Sequence, residues 1–142
     1  MEKLAENRFM EMWYDYPNET IHFLYKPGVT AEMTDEDFKE NLNLYADWAE
    51  RLQAKRLFVD NRHMQFTISP ELQKWVATDI YTRINTIEEI AILLSSDVFA
   101  EVATEQALEE IIQVKHLIRV HYFDNKEEAF AWLQGSNSTS AP

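Results

Sequence analysis

Between Asp60 and Ser69 the chain reads Asp60-Asn61-Arg62-His63-Met64-Gln65-Phe66-Thr67-Ile68-Ser69. A carboxylate, a guanidinium, an imidazole and a hydroxyl thus fall within ten residues. One chemistry open to such a set is acyl transfer, with Ser69 as nucleophile, His63 as base and Asp60 as orienting carboxylate. The spacing argues against it. Ser69 follows His63 by six positions, and Pro70 stands where a nucleophile elbow takes Gly. Ser followed by Pro is instead the preferred pair for a helix N-cap and its first residue. Ser69 is therefore expected to cap a helix and Asp60 to bond loop amides, and no hydrolase activity or other catalysis is expected.

Metal and cofactor chemistry lack their residues. The four histidines, His22, His63, His116 and His121, never fall at i, i+3 or i, i+4, so no helix stacks two of them as ligands. His22 is expected to face solvent. There is no Cys, which removes disulfides, thiolate zinc sites and Cys nucleophiles. The two glycines, Gly28 and Gly135, cannot write a phosphate-cradling P-loop or a G-x-G-x-x-G turn. Glu101, Glu105 and Glu109 lack the layout of a calcium loop and read as a solvated helix face. No cofactor and no metal are expected.

The elements that must position the Asp60 to Ser69 segment follow from periodicity. Arg8 to Tyr16 and Thr20 to Lys26 are strand-like runs separated by the turn signal Pro17-Asn18, hence a hairpin. Thr34 followed by Asp35, Glu36 and Asp37 marks a helix start, with Phe38, Leu42, Tyr45, Ala46, Ala49 and Leu52 at helical spacing. Arg56 to Asp60 is a short strand, and Ser69-Pro70 opens a second helix with Leu72, Val76, Ile80 and Ile84 on one face. Glu88 to Leu94 is a strand, Val98 to Gln113 a third helix and Leu117 to Phe123 an edge strand. Asn125 and Glu128 resemble a capping box for a last helix. The expected fold is α/β: a leading β-hairpin, then βα units, in a mostly parallel five-stranded mixed sheet covered by four helices. Residues 1–134 form one domain, and residues 135–142 read as a disordered polar tail.

Composition fits one such domain and narrows its partners. The chain has 142 residues, 46% of them apolar, and a net charge of −12. That charge argues against nucleic acid, whose binding needs Lys and Arg to displace phosphate counterions. Binding to duplex DNA is expected to be negligible. No apolar run approaches the about 20 residues of a membrane span. The opening Met1-Glu2-Lys3-Leu4-Ala5-Glu6 lacks a signal-peptide layout, so no membrane insertion and a cytoplasmic location are expected.

The surplus is aromatic. Met10, Met12, Tyr14 and Tyr16 share one face of the first strand, with Phe9 and Trp13 on the other. Plotted at about 100° per residue, Trp75 and Tyr81 fall outside the apolar stripe of the second helix. Met and aromatic side chains left over after core packing favour interfaces, so Met10, Met12, Tyr14, Trp75 and Tyr81 are expected at a protein contact. The competing expectation is that the helices absorb them all into the core.

Taken together, several segments resemble the SpoIIAA-like branch of the STAS superfamily, which also takes in lipid-binding CRAL-TRIO relatives. The resemblance runs from Arg8 to Leu133. It is carried by Lys26-Pro27-Gly28-Val29-Thr30 closing the hairpin, Arg56-Leu57-Phe58-Val59-Asp60, Ser69-Pro70-Glu71-Leu72, Asp97-Val98-Phe99-Ala100, and Tyr122-Phe123-Asp124 with Trp132-Leu133. It implies that Ser69 matches the phosphorylatable Ser of anti-sigma-factor antagonists. Their Asp-Ser-Ser-Gly motif is absent, however, with Thr67-Ile68 before Ser69 and Pro70 after it. The expected function is a non-enzymatic regulatory or protein-interaction module, acting on a protein partner or on itself as a homodimer. The alternative is a small-ligand or lipid carrier, with its pocket at the carboxyl ends of the parallel strands and Arg62 and His63 as polar anchors. An apolar cavity above the Arg56 to Asp60 strand favours the carrier; a flat aromatic patch favours the module.

Overall fold

A computed structural model of the protein describes residues 1–138. Strand β1 (Glu2–Glu6) is followed by β2 (Met10–Asp15) and β3 (Thr20–Tyr25), and a 3₁₀ turn (Thr30–Glu32) leads into α1 (Asp35–Leu52). Then come β4 (Arg56–Asp60), α2 (Pro70–Trp75) running straight into a π-turn (Val76–Ile80), β5 (Glu89–Leu93), α3 (Val98–Val114), β6 (Arg119–Phe123) and α4 (Lys126–Ser138). Helix α4 takes in the first residues of the stretch read as a tail, and the remainder of that stretch lies outside the described residues.

The six strands form one sheet in the order β1-β2-β3-β4-β5-β6. The first three are antiparallel neighbours, and β3 to β6 run parallel. The class is α/β, as expected, but the sheet has six strands and not five. The added strand, β1, carries three charges in Glu-Lys-Leu-Ala-Glu, residue types depleted in strands, and its outer side chains are exposed. It forms because β2 offers an open edge. Its register slips between Lys3 and Ala5, and Lys3 and Lys26 both pair with Glu6, so bulge and charge protect the new edge.

Each step from β3 to β6 moves one strand in the same direction. Right-handed crossovers then place α1, α2 and α3 all on one face. The main core lies there, packing Ile21, Phe23, Leu57, Ile90 and Ile92 against helix residues such as Phe38, Tyr45, Val76 and Leu108. Among the described residues only α4 covers the opposite face, through a smaller cluster of Phe58, Ala91, Leu93, Ala129 and Leu133. The helix starts match their sequence signals. Thr34 and Asp37 form a reciprocal capping box, Asp97 caps α3 through the Ala100 amide at 3.0 Å, and Asn125 accepts from the Glu128 amide at 2.9 Å.

Candidate functional site

Ser69 is a helix cap. Its hydroxyl accepts from the Leu72 amide at 3.2 Å, and Pro70 occupies the first position of α2. Losing this bond in Ser69→Ala is expected to lower stability by about 1 kcal/mol, within roughly 0.5–2. Ser69→Asp, an equal cap with a charge suited to the helix N-terminus, is expected to melt with the wild type. Thermal melts of both variants check this, and an Ala variant as stable as the wild type would remove the cap from the account.

Asp60 and Arg62 form a closed pair. Asp60 Oδ1 accepts from the Arg62 backbone amide at 3.1 Å and from Nε at 3.0 Å, while Oδ2 accepts from the guanidinium at 2.7 Å. Burial pushes the Asp60 carboxyl up, but the Arg62 bonds and charge outweigh it and hold the group below the usual carboxylate range. Arg62 and His63 are exposed, so neither reaches the interior as a polar anchor. Among the described residues no hydrogen bond joins Ser69 to His63. The constellation of four groups is not assembled.

The same segment instead closes a cavity. Two hydroxyls pin its backbone: Thr30 donates to the His63 carbonyl at 2.7 Å and accepts from the Gln65 amide at 2.9 Å, and Ser95 donates to the Met64 carbonyl at 2.7 Å. Met64, Phe66 and Ile68 consequently point inward and are buried. Beneath them, between the helix-covered sheet face and α1, α2 and α3, lies a cavity of about 90 Å³. It runs along the helix-covered face of the strands, touching Phe23 and Tyr25 of β3, Leu57 and Val59 of β4, and Ile90 and Ile92 of β5. Its wall is almost wholly apolar, and Asn61, Thr104 and three tyrosines supply the polar atoms.

The π-turn shapes one side of this cavity. The Tyr81 amide bonds to the Val76 carbonyl, five residues back, at 3.0 Å. The wider turn slows the rotation of the chain, so Tyr81 comes round to the side of Val76 and both reach the cavity. There the Tyr81 and Tyr45 hydroxyls bond each other at 2.9 Å. Burial pushes both phenols far above their ordinary range, so they stay neutral. Asn61 is 3% exposed, and its Oδ1 is buried with no hydrogen-bond partner. Sequence reasoning passed over Asn61, since an Asn just after a strand reads as a turn residue.

The expected interface is corrected by burial. Met10 and Met12 are fully buried, Tyr14 and Tyr81 are 3% exposed, and all four belong to the main core. Trp75 is half-buried against that core. His22, expected in solvent, is 6% exposed, because α4 folds back over its face of the sheet. The outer face of α3 is not wholly solvated either. Glu101 accepts from the Ser95 amide at 2.8 Å through one oxygen, the other is buried without a partner, and burial pushes its carboxyl up. The large apolar side chains left exposed include Val98, Phe99 and Val102 at the start of α3. Among the described residues there is no metal-holding cluster of His, Asp and Glu, and no helix long and apolar enough to cross a membrane. Compared with family models, curated proteins and solved structures, the chain gives no match.

Proposed function

We propose that this chain is a non-catalytic binding protein for a compact, largely apolar small molecule held in the cavity between the sheet and α1, α2 and α3. The observation that carries this reading is the cavity itself, an apolar space lined by Asn61, whose Oδ1 is buried without a partner. Well-packed cores hold few spaces of this size. The π-turn adds support, since such turns concentrate at functional sites. No carboxylate, imidazole or amine lines the space, which supports binding over catalysis. The relation to the SpoIIAA-like branch belongs to the same proposal. It draws on the hairpin followed by three βα units and on Ser69 at the head of α2.

Xenon tests the cavity directly, because it enters dry apolar space without needing hydrogen bonds. Under xenon pressure the backbone amides of Val76, Tyr81 and Ala107 are expected to shift and saturate in ¹H–¹⁵N spectra. Ala107→Leu fills the space from α3 and is expected to abolish those shifts while keeping the remaining spectrum. Wild-type amides that ignore xenon would overturn the reading. The interaction-module reading retains one observation, the exposed Val98, Phe99 and Val102, and sedimentation at high micromolar concentration tests it.

A further inference from the structure

We propose that the cavity selects a neutral ligand bearing a hydroxyl or N–H donor, and that this donor bonds to Asn61 Oδ1. The inference rests on reading the cavity as a binding site and adds the polar half of its specificity.

The orientation of the Asn61 amide is fixed by its neighbours on α3. The Thr104 hydroxyl lies 3.0 Å from the Ala100 carbonyl and gives it its proton. A hydroxyl has one proton, so towards Asn61 the Thr104 oxygen can only accept. It takes the Asn61 Nδ2–H at 3.3 Å. Turning the amide over would set two acceptors against each other. Oδ1 is thereby held as an acceptor, on a side chain that is 3% exposed and lines the cavity. Buried acceptors are nearly always satisfied, so an orphan on a residue that lines an apolar space points to a donor from outside the chain.

Charge and size narrow the class further. An anion would meet Oδ1 with lone pairs only, and no cationic side chain lines the cavity to balance it. A cation would lose its hydration with no carboxylate in the wall. A neutral hydroxyl or N–H compound suffers neither penalty. An engineered apolar cavity of about 150 Å³ accommodates benzene, so the space of about 90 Å³ here suits a molecule of fewer heavy atoms, with Met64 as a flexible wall.

The test compares butan-2-ol with butan-2-one, which share a skeleton and differ in the donor. Titrating the full chain and following the Asn61, Thr104 and Ala107 amides, the alcohol is expected to bind about tenfold more tightly than the ketone, the ratio that one hydrogen bond near 1.4 kcal/mol supplies. Asn61→Leu, which keeps the volume and removes the acceptor, is expected to bring the two within about twofold. Thr104→Val keeps Asn61 but frees its amide to turn, so its Nδ2–H can face the ligand and the preference moves towards the ketone. A structural Asn61 with no ligand role predicts no such shift, and Thr104→Val stands as the readout if Asn61→Leu fails to fold. Equal affinities for alcohol and ketone in the wild type, with xenon still entering, would overturn the donor inference and leave the cavity reading intact. Neither probe nor xenon binding would overturn both.

Discussion

Glu89→Ala is expected to lower the unfolding free energy by about 3–5 kcal/mol, a large share of the total for a domain of this size. Glu89 is 1% exposed, at the amino end of β5 on the α4 face. Cross-strand register places it between Arg56 of β4 and Arg119 of β6. Arg56 Nε donates to Glu89 Oε1 at 3.1 Å, and the Arg119 guanidinium donates to Oε2 at 2.8 Å. Arg56 is itself 6% exposed and reaches back to the Asn18 carbonyl at 2.9 Å. Removing Glu89 therefore strands a guanidinium in the interior, which is the costly half of breaking a buried ion pair. Arg119 is 65% exposed, and a solvent-facing partner contributes little, so Arg119→Ala is expected to cost no more than about 1 kcal/mol. The double variant Arg56→Met with Glu89→Leu should recover most of the loss, because apolar side chains of similar volume often replace a buried pair without penalty. Urea denaturation midpoints of the four proteins measure this. A Glu89→Ala midpoint close to that of wild type would show that the pair holds nothing together.

Much of the architecture was legible because its signals are local. Thr34 and Ser69 announce helix starts through side chains that bond amides two or three residues on, and each does so in the structure. The β4 and β5 runs are apolar on both faces because α1, α2 and α3 cover one side and α4 the other. What escaped depends on partners distant in sequence. Strand β1 carries no strand-like composition and exists only as the neighbour of β2. The helical projection placed Tyr81 outward because it assumed one rotation per residue throughout, and the π-turn breaks that assumption at Val76. The cavity is lined by Asn61, Met64 and Ile68 of the Asp60 to Ser69 segment together with residues along the length of β4 and β5. The buried unpartnered oxygen beside it belongs to Asn61, whereas Arg62 and His63 occupy the turn closed by the Met64 amide on the Asn61 carbonyl and face solvent.

The pH dependence of stability between about 7 and 5 is expected to be dominated by His22. Its ring packs 5.3 Å from that of Phe58 and 5.4 Å from that of Phe130, on the sheet face that α4 covers. Burial pulls its pKa down to about 4; Asp15 opposes that shift, while Lys126 and the chain amino terminus add to it. In the unfolded chain an imidazole titrates near 6.5. Between the two values the unfolded state binds a proton that the folded state refuses, so stability rises with pH across this window and is lost as pH falls through it. The full gap corresponds to about 3 kcal/mol, of which about 2 kcal/mol is lost between pH 7 and 5. Two carboxyls titrate nearby with opposite signs. Asp60, held low by Arg62, loses stability only at more acidic pH, whereas Glu101, raised by burial, gains stability as it protonates. Subtracting the profile of His22→Phe, which keeps an aromatic ring against Phe58 and Phe130, cancels both. The difference in unfolding free energy is expected to fall by about 2 kcal/mol from pH 7 to 5 and to level off below about 4. Parallel profiles for the two proteins would mean that His22 takes up its proton while the fold stays closed, by admitting water beneath α4.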